Sequence, residues 1–141
     1  MSRGLKRLKT VVSKLLSPRG CPWDREQTHR SLIPYVREEA AELTDALKGG
    51  RWHEIEDEAG DLLFHLLFIS KIGEKNGRFD LESVAESQAR KLMRRHPHVF
   101  GRTRRFRDAK DVFAHWGEIK KGERALRAKE VARRDRKKAV R

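Results

Sequence analysis

Cysteine is nearly absent from this 141-residue sequence: Cys21 stands alone, which rules out a disulfide framework and a cysteine-ligated zinc site. No apolar run reaches the length of a bilayer span, and the N-terminal residues lack the hydrophobic segment of a signal peptide. A soluble, cytoplasmic chain with no membrane partner is therefore expected. Acidic side chains are missing from positions 1–20, which hold six basic ones, and positions 102–141 hold sixteen basic against six acidic. The formal net charge is +13, so the acidic residues are concentrated in the middle of the chain. Apolar residues make up 37%, enough for one modest core but not for two. They become scarce after Leu126, and 127–141 reads as a basic tail, frayed or disordered in isolation.

What the middle does contain is paired carboxylates. Glu38, Glu39 and Glu42 form one cluster, and Glu58 and Asp61 a second. Residues three or four apart share a helix face, so Glu38/Glu42, Glu39/Glu42 and Glu58/Asp61 each direct two carboxylates to one side. Like charges at that spacing cost an isolated helix roughly 0.2–0.5 kcal/mol per pair. Acidic runs are commonly just solvated faces. The second cluster, however, runs directly into Leu62-Leu63-Phe64-His65-Leu66-Leu67-Phe68-Ile69, an apolar segment that reads as a buried helix. A carboxylate at the mouth of a buried segment needs a partner. Two such helices packed together would form an oxygen-only cage for a hard divalent ion, Mg²⁺ or Mn²⁺.

The apolar spacing predicts an amphipathic helix over Ser2 to Leu16, stopped by Ser17-Pro18-Arg19-Gly20. Residues 21–29 show no sustained period and read as an ordered loop, in which Trp23 either caps the core or stacks on a ligand. A second helix is expected from near Ser31, with Pro34 in its first turn, to Gly49-Gly50. Its apolar stripe is Val36, Ala40, Leu43 and Leu47, with Tyr35, Glu39, Glu42 and Ala46 beside it and Glu38 further toward solvent. A third helix runs from Trp52 to Lys75, with Ile55, Ala59, Leu62, Leu66 and Ile69 as core and Glu54, Glu58, Asp61 and His65 as the adjacent stripe. His65 reads as a hydrogen-bonded core histidine, since four oxygens suffice for a metal. Asp80 caps a fourth helix, with Leu81, Val84, Ala85, Ala89 and Leu92 inward. Lys91, Arg94 and Arg95 near its end serve the helix dipole or, together, a phosphate. A basic linker at 102–107 precedes a short helix from Asp108, which Glu123 to Arg141 can extend as a polar, basic tail.

Taken together, Cys21-Pro22-Trp23-Asp24 with Gln27-Thr28-His29, Glu38-Glu39-x-x-Glu42, Glu58-x-x-Asp61, Gly77-Arg78-Phe79-Asp80 and Arg94-Arg95-His96-Pro97-His98-Val99-Phe100-Gly101 closely resemble the MazG family of nucleoside triphosphate pyrophosphohydrolases. The resemblance covers roughly residues 5 to 125 and places the domain at 1–126. It implies an all-α, four-helix-type bundle working as a homodimer or higher oligomer. The implied reaction is the cleavage of nucleoside triphosphates to monophosphate and pyrophosphate, a house-cleaning of the nucleotide pool. The resemblance assigns Mg²⁺ to Glu39, Glu42, Glu58 and Asp61, and gives Glu38 to the metal or to the attacking water. Lys91 and Arg95 go to the triphosphate, and Trp116 and Lys120 to the nucleotide. One departure stands out: Glu54 occupies a position where related domains can place a lysine.

Two other readings remain at this point. One is a more selective member of the same superfamily, a dUTP, dCTP or phosphoribosyl-ATP pyrophosphohydrolase. The other is a basic nucleic-acid-binding protein, favoured by the charge but without a recognised motif, so that any such binding would be weak and nonspecific.

Overall fold

The computed structural model describes residues 2–101, 106 and 108–139, from 127 onward as backbone alone except at Ala128. All regular structure among them is helical, and the chain divides into two units, one ending at Ala85 and one beginning at Glu86. No helix among the described residues is long and apolar enough to cross a membrane.

The first unit begins with α1 (Arg3–Leu15), whose N-cap Ser2 accepts a hydrogen bond from the Leu5 backbone N–H. Val12, on its apolar face, is completely buried. The segment read as a loop contains a single helical turn, α2 (Pro22–Glu26). Five residues are too few to display a period, but Pro22 at the first position fixes a φ suited to helix. The chain is then led into the next helix by a reciprocal bond pair: Thr28 N donates to Ser31 Oγ at 2.9 Å, and Ser31 N donates to Thr28 Oγ1 at 3.1 Å.

The centre of this unit is a helical hairpin of α3 (Ile33–Gly49) and α4 (Trp52–Lys75). Gly50, at φ 69°, ends α3 in the left-handed conformation that glycine adopts without steric cost. Leu32, Ala46, Leu67 and Phe68 are buried here, and Phe64 meets Phe68 edge-on at 5.6 Å. Gly73 is required by close approach: a Cβ there would lie 2.8 Å from the Phe79 ring.

The inward faces differ from those expected. On α3 the covered positions are Leu32, Tyr35, Val36, Glu39, Leu43 and Ala46, whereas Ala40 and Leu47 are exposed. On α4 Ile55, Leu62 and Ile69 of the expected stripe are covered, and so are Glu54, Glu58, Phe64, His65, Leu67, Phe68, Ser70 and Ile72, whereas Ala59 and Leu66 are exposed. The covered face of each helix thus extends onto its carboxylate stripe. Periodicity defines an apolar face but not its centre when more than half the circumference is apolar.

Asp80 caps α5 (Leu81–Arg95) as expected, its Oδ1 accepting from Ser83 N at 2.8 Å. No residue of α5 is buried, and Val84 and Leu92 of the expected inward stripe are exposed. In the second unit, α6 (Pro97–Phe100) is one turn and α7 (Ala109–Ala139) is continuous. Beyond Leu126 the backbone continues as helix to Ala139, through a run rich in Arg, Ala and Lys. Of the basic linker, 102–105 and 107 lie outside the described residues.

Candidate metal centre

Because the covered face of α3 extends onto its carboxylate stripe, Glu39 enters the site from that side, while Glu58 and Asp61 present one face of α4 a turn apart. One oxygen from each of Glu39, Glu58 and Asp61 lies within 4.8 Å of the others. Three acids converge there. Burial, followed by the charge of Asp61, raises the pKa of Glu39 above its ordinary value, against the opposing influence of His65. Burial, followed by the charges of Glu42 and Asp61, likewise raises that of Glu58. Glu58 Oε2 is buried without a hydrogen-bond partner. Such a group is rare in folded proteins unless an ion or water completes it. The donor set is oxygen only, which suits a hard divalent cation.

The neighbouring aromatic residues brace this corner. His65 is buried, its Nδ1 lies 3.1 Å from the Asp61 carbonyl oxygen, and its ring stacks on Tyr35 at 6.4 Å. It is the hydrogen-bonded core histidine expected. Trp23 also meets Tyr35, edge-on at 5.4 Å, and is half exposed. Glu54, the departure noted above, is held by both Nε and Nη2 of Arg51 at 2.6 Å, so its charge is already matched. The i,i+3 spacing of that pair was a readable local signal.

Glu42 is exposed and falls outside the close triad, although its charge acts on both Glu39 and Glu58. Glu38 is also exposed. A groove of about 430 Å³ in the first unit, lined by Ser13, Leu16, Arg25, Lys71 and Ile72 among others, contains none of these carboxylates. The carboxylate cluster is marked by charge and geometry rather than by cavity size.

The remaining expected site residues belong to the second unit, where Lys91 is half-buried. The indole of Trp116 has the Arg95 guanidinium carbon 5.7 Å and Lys120 Nζ 5.9 Å from its ring centroid. His96 meets the same indole edge-on at 5.3 Å. Arg95 is bonded to Glu123, a residue that sequence reasoning missed: a contact across 28 positions leaves no local signal.

A family model described as the MazG nucleotide pyrophosphohydrolase domain matches residues 27–100, which include every carboxylate of the centre. The chain is similar to a protein of Escherichia coli K12 named nucleoside triphosphate pyrophosphohydrolase, with 39% identity covering 91% of this chain and 49% of the relative. It is also similar to the nucleoside triphosphate pyrophosphohydrolase/pyrophosphatase of Thermotoga maritima, with 39% identity covering 83% and 44%. The chain therefore spans about half the length of the curated relatives it matches. Among solved structures, a mazG-related protein of Thermotoga maritima superposes with a TM-score of 0.67 at 26% identity, covering 82% of this chain and 98% of that one.

Proposed function

This chain belongs to the MazG nucleotide pyrophosphohydrolase domain family, and from that premise we propose that it hydrolyses nucleoside triphosphates to nucleoside monophosphate and pyrophosphate with a divalent ion, Mg²⁺ or alternatively Mn²⁺. The observation that carries this reading is the Glu39, Glu58 and Asp61 triad with its buried, unpartnered Glu58 oxygen. These three side chains would hold the ion, with Glu42 as a fourth ligand drawn in from the exposed edge of α3. When bound, the ion supplies charge neutralisation on the polyphosphate and acidifies water.

The chain's own residues divide the remaining work. Glu38, next to the triad on α3, accepts a proton from the water that attacks between the first and second phosphoryl groups, or orients it. Lys91 and Arg95 bind the triphosphate and stabilise charge gathering on the departing pyrophosphate. Trp116 offers a ring face, and Lys120 a cation, to the nucleotide. Covered apolar neighbours and the His65–Tyr35–Trp23 stack hold the carboxylates in register. The working form is a homodimer of four-helix-type bundles, in which the exposed Leu47, Leu63 and Leu66 are covered by the second copy. The catalytic domain is residues 1–126, with 127–141 a basic appendage, and the setting is the cytoplasmic nucleotide pool.

A panel of nucleoside triphosphates with pyrophosphate detection tests the reading. Turnover is expected with Mg²⁺, absent with EDTA, and abolished in Glu42→Gln and Asp61→Asn proteins that retain their helix content. Full activity in EDTA would eliminate this function.

A further inference from the structure

Arg95 sits in the last turn of α5, and Glu123 lies two turns beyond Trp116 on α7, all within the second unit. Glu123 Oε2 accepts from Arg95 Nε at 2.7 Å and lies 2.6 Å from Arg95 Nη2. Glu123 Oε1 accepts a longer bond, 3.3 Å, from Arg94 Nη2. The Glu123 side chain is 14% exposed and that of Arg95 23%, whereas Arg94 is 57% exposed, so the pair with Arg95 is the better shielded one. The arginines hold the Glu123 carboxyl below the usual carboxylate range, with the Arg95 hydrogen bond as the largest cause. The guanidinium is therefore fixed twice, along one edge by the carboxylate and over one face by the Trp116 indole.

A guanidinium has five N–H donors in a rigid fork. Among the described residues Arg95 donates from Nε to Glu123 and its Nη2 lies at ion-pair distance from the same oxygen, which leaves the N–H groups of Nη1 for another acceptor. We infer that Glu123 is a positioning residue: it holds Arg95 with its free donor edge presented to the phosphate oxygens of the substrate. The inference rests on the assignment of Arg95 to the triphosphate made above. A long side chain ordered in advance does not lose that freedom when substrate arrives, and this is where Glu123 contributes to the reaction without touching substrate.

The test is a double-mutant cycle on the full chain, measuring pyrophosphate release with saturating Mg²⁺. Glu123→Ala is expected to lower kcat/KM by about tenfold, chiefly through KM, and Glu123→Gln, which keeps an acceptor oxygen, to recover part of the loss. In an Arg95→Ala background, Glu123→Ala should change kcat/KM by less than about twofold. Thermal melts read alongside separate positioning from stability, and Glu123→Gln, which preserves size, serves if Glu123→Ala does not fold. Equal losses with and without Arg95 would mean a structural tie and overturn the inference. A lower KM in Glu123→Ala would overturn it too, by showing that Glu123 competes with phosphate. If Arg95→Ala alone leaves hydrolysis unchanged, the phosphate role of Arg95 falls and the inference with it, while the metal centre stands. A wild-type chain with no hydrolysis at all overturns the enzymatic reading itself.

Discussion

At Glu58 one carboxylate oxygen is buried with no hydrogen-bond partner, and burial together with the charges of Glu42, Asp61, Asp57 and Glu39 raises its pKa. A carboxyl whose folded pKa lies above its unfolded value contributes stability below the unfolded pKa, and that contribution is lost as pH rises through the folded value. At neutral pH, without a cation, the ionised group therefore opposes folding. Glu58→Gln is accordingly expected to raise the melting temperature of the metal-free protein at neutral pH. The gain should shrink as pH falls into the carboxylate range. The same variant should lose any Mg²⁺-dependent rise in melting temperature. A Glu58→Gln protein melting below wild type at neutral pH would show that the carboxylate is satisfied without a cation. Asp80 has the opposite sign: the Ser83 backbone N–H and hydroxyl depress its pKa, so its contribution is present above the unfolded value and disappears on acidification.

Among the elements, α4 carries most: its 24 residues provide two carboxylates of the centre and the buried Leu67 and Phe68. Phe68→Ala removes a fully buried ring that Phe64 packs against, and should cost about 3–5 kcal/mol of unfolding free energy in a urea titration. Leu66→Ala, on the exposed side of the same helix, should cost a monomer far less. A comparable loss at both positions would mean that Leu66 is covered in solution. The ends of this helix were legible: Trp52 to Lys75 follows from the sequence, with Asn76-Gly77 stopping it and Gly77 adopting φ 61°. Its rotation was not. Apolar side chains on nearly every side of Leu62–Ile69 leave periodicity indifferent to which stripe packs on α3.

For the whole molecule, Leu47 and Leu66 stand 58% and 51% exposed on helices that each bury a different face. If a second copy covers them, light scattering should give a dimer at micromolar concentration. Leu47→Lys with Leu66→Lys should shift it to monomer while far-ultraviolet circular dichroism changes little. A well-folded wild-type monomer would contradict the homodimer. The family's structural relative extends over 82% of this chain, so the comparison of oligomeric state is open to direct measurement on both proteins.

The sequence by itself determined the all-helical class, the main helices with their stops, and the family, because each of these is written in short-range terms. Pro34 and Gly50 mark helix ends, Asp80 marks a cap, and Glu58 and Asp61 share a face through spacing alone. Only the tertiary structure decided that Glu39, and not Glu42, closes with Glu58 and Asp61, since that depends on the rotation of α3 against α4. It also decided the partner of Arg95: Glu123 is 28 residues away, and no local pattern encodes which of several exposed-looking acids on α7 will meet a given arginine. Local spacing fixes which side chains can share a face, whereas the choice between faces is made by burial, summed over the neighbours that only folding brings near.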